Sequence, residues 1–213
     1  MARDVGLRER KKARTRQHIA DTAAWLFAAR GYDEVSVVDV ARAAEVSDQT
    51  VYNYFPAKQD LVLDRAEQFR EWYRRTVVER PDGTSPAEAL RAVARADVER
   101  HRHADLDEAR GQYPALCVSS AVIRRFALET REQQAEAVAD AIVATCSGVH
   151  PGVAHAHAAA VVSVFQMVSD HLGRGVLDGM PPDAVADEIA PVVEEVFDHL
   201  DAHFHPSAED HRP

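Results

Sequence analysis

The chain has 213 residues and a formal net charge of −10, from 25 Lys+Arg against 35 Asp+Glu. That length allows one large domain or two small ones, and 46% apolar with 28% charged residues is the balance of an ordinary globular protein, not of a disordered or low-complexity chain. Two cysteines, Cys117 and Cys146, cannot build a disulfide framework or a four-cysteine zinc site and fit a reducing, cytoplasmic compartment. The sequence holds no unbroken apolar run of about 18 residues and its first seven residues lack a signal-peptide core, so no membrane span or leader is expected.

Helical periodicity recurs along the chain and strand alternation is nearly absent. A first helix is expected from near Arg8 to Arg30, with Ile19, Ala23, Leu26 and Phe27 on one face and Gly31 in the left-handed position that closes it. Ser36 caps a short second helix, Val37 to Ala44, and Ser47 caps a third, Asp48 to about Phe55, stopped by Pro56. A long fourth helix is expected over Lys58 to Glu79. Ser85, Pro86 and Glu88 form a capping-box start for a fifth, running to about Asp107. Then come a short helix at Gln112–Val118 and long ones at Ser120–Thr145, Val153–Leu177 and Asp183–His203, with a frayed tail over 205–213. The expectation is an all-α chain of about nine helices. It divides into an arm and three-helix helix-turn-helix domain over 1–57 and a helical domain over 58–204.

Charge is unevenly placed. Residues 1–60 carry ten Lys/Arg and nine Asp/Glu, a net of +1, which leaves −11 for the rest. Within the first part, Arg3 to Arg16 holds seven basic groups against two acidic ones. An acidic body with a basic N-terminal arm does not exclude nucleic acid, although the whole-chain sum suggests that it should.

Two short helices joined by the turn Glu45-Val46-Ser47 and packed on a longer one make a helix-turn-helix unit, with Val46 as the apolar plug. The second short helix reads Asp48-Gln49-Thr50-Val51-Tyr52-Asn53-Tyr54-Phe55. Val51 and Phe55 face inward at i, i+4, and the other positions offer amides that can pair with adenine edges and hydroxyls that can reach phosphates.

Residues 8–65 resemble the N-terminal domain of the TetR/AcrR family of transcriptional regulators. The matching text runs from Arg14-Thr15-Arg16 and Ile19 through Ala24-Trp25-Leu26-Phe27, Arg30-Gly31-Tyr32 and Val35-Ser36-Val37. It continues through Val40-Ala41, Ala44 and Val46 to Phe55, and closes on Lys58, Asp60 and Leu61. Glu45 stands where the family most often has glycine. The resemblance implies that Gln49 and Asn53, with Asp48, read bases. It implies that Thr50, Tyr52, Tyr54 and Lys58 hold phosphates, that Ser36 and Val37 present backbone N–H groups to a phosphate, and that the arm, with Arg14 and Arg16, adds phosphate or minor-groove contacts. It further implies a homodimer through 153–177 and 183–203, a palindromic double-stranded DNA operator, and a small apolar or amphipathic effector bound among the central helices, without a cofactor. Candidate wall residues are Phe69, Trp72, Tyr73, Tyr113, Cys117, Phe126 and Phe165, with His101 as a polar anchor. The Ala-rich face Ala156, Ala159, Ala160, Ser163 would allow close helix approach.

Eleven histidines invite a metal reading, but His101/His103, His155/His157 and His203/His205 are two apart, which on a helix turns the rings about 200° away from each other. No nucleophile elbow, His-Glu-x-x-His or complete glycine fingerprint occurs, so an enzyme has no positive support. An all-α binding or scaffold protein that has lost DNA affinity is the alternative.

Overall fold

Capping residues set most of the helix boundaries. The computed structural model describes residues 2–204, so the expected frayed tail lies outside the described residues, as does the side chain of Arg3. Ten α-helices and a 3-10 turn follow one another, with no strand among the described residues. They are α1 (Ala2–Arg30), α2 (Val37–Ala43), α3 (Asp48–Tyr54), α4 (Ala66–Val78), α5 (Pro86–Arg102), α6 (Leu106–Ala109), α7 (Tyr113–Ser119), α8 (Ala121–Thr145), α9 (Pro151–Leu177) and α10 (Pro182–His203). Ser36, Ser47, Ser85 and Ser120 each accept a backbone N–H of the first turn that follows, an interaction of roughly 1 kcal/mol apiece.

Four expectations are corrected. Helix α1 reaches back to Ala2 rather than starting near Arg8. The single helix expected over Lys58 to Glu79 is broken: Lys58–Leu61 is a 3-10 turn, and α4 begins only at Ala66. Asp60 accepts the N–H of Ala57 at 2.8 Å, Lys58 Nζ donates to the Tyr32 carbonyl at 2.6 Å, and Arg16 grips Asp64 at 2.7 Å. These bonds to α1 and its following turn outweigh the helical preference of the segment. The fifth helix stops at Arg102, because Asp105 caps a separate turn, α6, by accepting the N–H groups of Asp107 and Glu108. At the start of α5, Ser85 accepts from Glu88 N as expected, but the Glu88 carboxylate turns to Arg91 at 2.9 Å instead of completing the box.

Two main apolar clusters form. The larger one joins α4, α5, α8, α9 and α10, with Leu90, Val138, Ile142, Val161 and Phe197 fully buried. Arginines on α5 fasten it to α10: Arg91 meets Asp198 at 2.7 Å, Arg102 meets Asp187 at 2.7 Å, and Arg95 pairs with Glu194. The second cluster holds Ile19, Phe27, Val40, Val51 and Phe55 of the N-terminal helices together with Leu116 and Cys117 of α7 and Ile123 and Ala127 of α8. Helix α7 therefore supplies core to the N-terminal helices while packing against α8 and α9.

Helix α9 has the length and apolarity of a membrane span, yet its Ala154, Ala158, Val161, Val162, Val164 and Val168 are buried within the protein. At Gly173 it passes so close to α7 that a Cβ would lie 2.2 Å from the Pro114 carbonyl oxygen. Gly173→Ala is expected to force the two backbones apart and to lower stability by about 1–3 kcal/mol in urea denaturation.

His157 of α9 stacks on Phe204 at 4.0 Å between ring centroids, and its Nε2 is buried without a hydrogen-bond partner. Burial lowers its pKa from 6.5 to about 4, against a smaller opposing pull from Asp201. The unfolded chain binds this proton below pH 6.5 and the folded chain does not, so the stability tied to neutral His157 is complete above that value and lost as the pH falls toward 4. His157→Phe is expected to lose less melting temperature than the parent chain between neutral pH and about pH 5, and equal losses would refute the assignment.

Candidate nucleic-acid interface

The N-terminal helices present one polar face. Helix α3 buries Val51 fully, and Phe55 just past its end is 1% exposed. Those two anchors turn Asp48, Gln49, Tyr52 and Asn53 to solvent. Gln49 Nε2 donates to Asn53 Oδ1 at 3.2 Å, so the two expected base readers sit side by side one turn apart. Asp48 accepts the N–H of Gln49 at 2.9 Å. Thr50 is half-buried with its hydroxyl 2.8 Å from that of Ser47. Tyr52 is 45% exposed, whereas Tyr54 is half-buried against the N-terminal cluster.

Turn geometry fixes the angle between α2 and α3. Glu45 has φ 54, the only positive φ of a non-glycine among the described residues, in the position where the family pattern has glycine. Glu45 N donates to Arg42 O and Val46 N to Ala41 O, and His18 of α1 meets the Ala44 carbonyl at 3.2 Å. The backbone is held left-handed by bonds on both sides, at a cost of order 1 kcal/mol for an L-residue with a Cβ. Glu45→Gly is expected to raise stability by up to about 1 kcal/mol in urea denaturation, the relief of strain being partly offset by the freedom of glycine in the unfolded chain.

The N-terminus of α2 is a closed capping box. Ser36 Oγ donates to Asp39 Oδ2 at 2.6 Å and accepts from Asp39 N at 3.1 Å, and Ser36 N donates to the same carboxylate. These bonds hold the Asp39 carboxyl below its usual pKa, with Arg30 and Arg42 adding to the effect. The Val37 side chain is buried at this end.

The basic residues divide into two groups. Arg14 is exposed on α1. Arg16 is committed to Asp64 and lies over the Phe55 ring, 4.6 Å from its centroid. Lys58 is half-buried, with its ammonium on the Tyr32 carbonyl and 4.0 Å from the Tyr32 ring. Burial pulls the Lys58 pKa down, opposed by Asp33 and Glu34, while burial and the charges of Asp33 and Asp60 push Tyr32 up to about 12. One tie to the body was invisible in the sequence: Ser120 Oγ, 87 residues further along the chain, donates to Asp33 Oδ1 at 3.0 Å. Exposed Arg42, on the outer face of α2, is a further cation that the family pattern did not single out.

The aromatic wall expected in the body is partly assembled. Phe69, Trp72 and Tyr73 of α4 cluster, and Tyr73 stacks on Phe165 of α9 at 4.5 Å. Tyr113 and Cys117 meet elsewhere, around Gln166 of α9. His101 is buried in the last turn of α5 with Nε2 unpartnered, and burial lowers its pKa. Phe126 is half-buried under the Arg125 guanidinium, apart from both groups. No cluster of three metal-ligating side chains occurs among the described residues.

These features define a helix-turn-helix unit built on an all-helical body. Residues 19–64 match the family model described as bacterial regulatory proteins, tetR family. The chain is 33% identical over 102 residues to the HTH-type transcriptional regulator TcmR of Streptomyces glaucescens, a stretch covering 48% of this chain and 45% of the relative. It is 31% identical over 97 residues to the HTH-type transcriptional repressor KstR2 of Mycolicibacterium smegmatis, covering 44% and 47%. The matched stretches thus span less than half of those curated relatives. Among solved structures it resembles NalD of Pseudomonas aeruginosa, the secondary repressor of the MexAB-OprM multidrug efflux pump, at a TM-score of 0.58 with 18% identity, covering 86% of this chain and 97% of that one. It also resembles FadR of Bacillus subtilis in complex with stearoyl-CoA, at a TM-score of 0.55 with 20% identity, covering 89% and 99%. The two structures share the fold.

Proposed function

We propose that this chain is a homodimeric, cytoplasmic repressor that reads a palindromic operator with α3 and releases it when a small apolar or amphipathic molecule binds the body. The observation that carries the reading is the outward face of α3, where Gln49, Tyr52 and Asn53 project beside one another from a helix anchored by Val51 and Phe55. The description of KstR2 and NalD as repressors supports the sign of regulation, and the stearoyl-CoA held by FadR supports the small-molecule trigger.

Gln49 and Asn53 are the base readers in this scheme, with Asp48 setting the start of the helix. Thr50, Tyr52, Tyr54 and Lys58 contact phosphates, joined by Arg14, Arg16 and the α2 N-terminus at Ser36 and Val37. Lys58 has a double role: one N–H holds Tyr32, and the remaining two are free to reach a phosphate. The partner subunit docks on α9 and α10. On α9, Ala156 and Ser163 are exposed and Ala159, Ala160 and Met167 half-buried, and on α10 Val192 is 39% exposed, so two apolar stripes lie open for a four-helix bundle. Dimerisation places two recognition helices for half-sites about 34–36 Å apart, and effector binding favours a spacing that no longer matches.

Electrophoretic shift on the DNA upstream of the chain's own gene tests the reading, and no sequence-preferring complex at low salt would refute it. Asn53→Ala and Gln49→Ala are expected to cost about 1–3 kcal/mol on the preferred site and to relax the preference at single base pairs. Lys58→Ala is expected to weaken binding on every sequence, to flatten the salt dependence and also to lower the melting temperature, because the bond to Tyr32 goes with it.

A further inference from the structure

The body contains a charged cluster whose charges do not balance. Between α7, α8 and α9, Tyr113 donates to Gln166 Oε1 at 3.2 Å, and Gln166 Nε2 bonds Asp170 and lies 3.5 Å from Cys117 Sγ. Arg124 pairs with the same Asp170, a residue only 8% exposed. One turn or two further along α8, Arg131 joins them: its charge interacts with Tyr113, Arg124, Asp170 and Cys117. Asp170 is already committed to Arg124 and Gln166. Arg131 Nη2 is sealed from solvent without a hydrogen-bond partner, and burial pulls the guanidinium pKa down. Two guanidiniums therefore share one carboxylate. Burial holds the Tyr113 phenol protonated, so it supplies no second negative charge.

A guanidinium nitrogen sealed from solvent with its hydrogen bond unmade is costly, and hydrogen bonds to a charged group are the strongest a protein offers. A group that brings one negative charge and two acceptor oxygens would satisfy it, and the flat fork of arginine matches a carboxylate in both respects. The surroundings suit the rest of such a molecule. Gln166 follows Phe165 on α9, Phe165 stacks on Tyr73, and the Tyr73 phenol is close enough to Tyr113 for the two groups to interact. Phe69, Trp72 and Phe165 are only partly buried, so this aromatic wall is not closed off.

We propose that the effector carries a carboxylate on an apolar body, with the carboxylate paired to Arg131 and Tyr113 and the body laid along Phe69, Trp72, Tyr73 and Phe165. The proposal rests on the reading of this chain as ligand-responsive and names the chemistry of that ligand.

Calorimetry on the full chain with decanoate, decanol and decylamine tests it. Decanoate is expected to bind roughly tenfold or more tighter than decanol, with decylamine weakest. Arg131→Met is expected to erase that order while leaving the unliganded melting temperature unchanged or raised, because an unpaired buried charge is removed. Arg131→Lys, which keeps the charge without the fork, is expected to retain part of the preference and serves if the methionine variant does not fold. Equal affinity for decanoate and decanol, an unchanged preference in Arg131→Met, or no decanoate binding at millimolar concentration would overturn the proposal. None of these readouts involves DNA. Carboxylate binding without an operator complex would refute the regulator and leave this site standing, and an operator complex without carboxylate binding would do the reverse.

Discussion

The whole arrangement depends on a seven-residue helix that completes the N-terminal core while packing against the body. Helix α7 gives Leu116 and Cys117 to the cluster that holds α1, α2 and α3 together, and its first-turn carbonyl at Pro114 lies against α9 with room for glycine alone. Close packing of this kind transmits displacement, because interiors are nearly as dense as organic crystals and offer few voids to absorb it. A shift of α7 relative to α9 is felt in the cluster that contains Phe27 and Phe55. The Ser120–Asp33 bond, and Gly111 seated on the Ala24 carbonyl of α1, add two further ties at the same junction.

That junction gives the proposed regulation a physical route. Tyr113 opens α7 and faces Gln166, and Cys117 one turn later touches both Gln166 and the N-terminal cluster. A ligand that engages Tyr113 would act on the helix that carries the N-terminal core. The energetic demand is modest: a ligand shifts a two-state equilibrium by no more than its difference in affinity for the two states, and a few kcal/mol suffices.

Local chemistry was legible in the sequence and distant chemistry was not. Serine caps at 36, 47 and 85 placed helix starts to within a residue or two, because each acts within its own turn. The break at Lys58–Arg65 escaped, since what unwinds it are bonds to Tyr32 and Arg16, made across 26 and 48 residues of chain. Helix α6 escaped because its signal, Asp105 accepting two N–H groups, sat inside a continuous helical pattern. At the interface, the outward face of α3 could be read from the spacing of Val51 and Phe55. The prior commitment of Arg16 to Asp64, and of Lys58 to Tyr32, could not. In the body, Phe69, Trp72 and Tyr73 lie within about one turn of α4 and their rings cluster there. Nothing in the sequence joined Arg124, Arg131, Gln166 and Asp170, which come from two helices some forty residues apart.

The division of charge has a consequence for how many molecules a cell would need. Helix α3 carries no cation in its last turn, two of the nearby cations are turned inward, and the body is acidic. Random DNA is held mainly by cations on phosphates, and a genome offers about a million or more such competing stretches. A reader whose free cations are confined to the N-terminal helices, on an otherwise acidic body, loses less of its population to them. On the proposed reading, occupancy of one operator would then be set by base recognition at Gln49 and Asn53 and not by abundance, so a handful of dimers could govern it and a small change in their number would pass unnoticed.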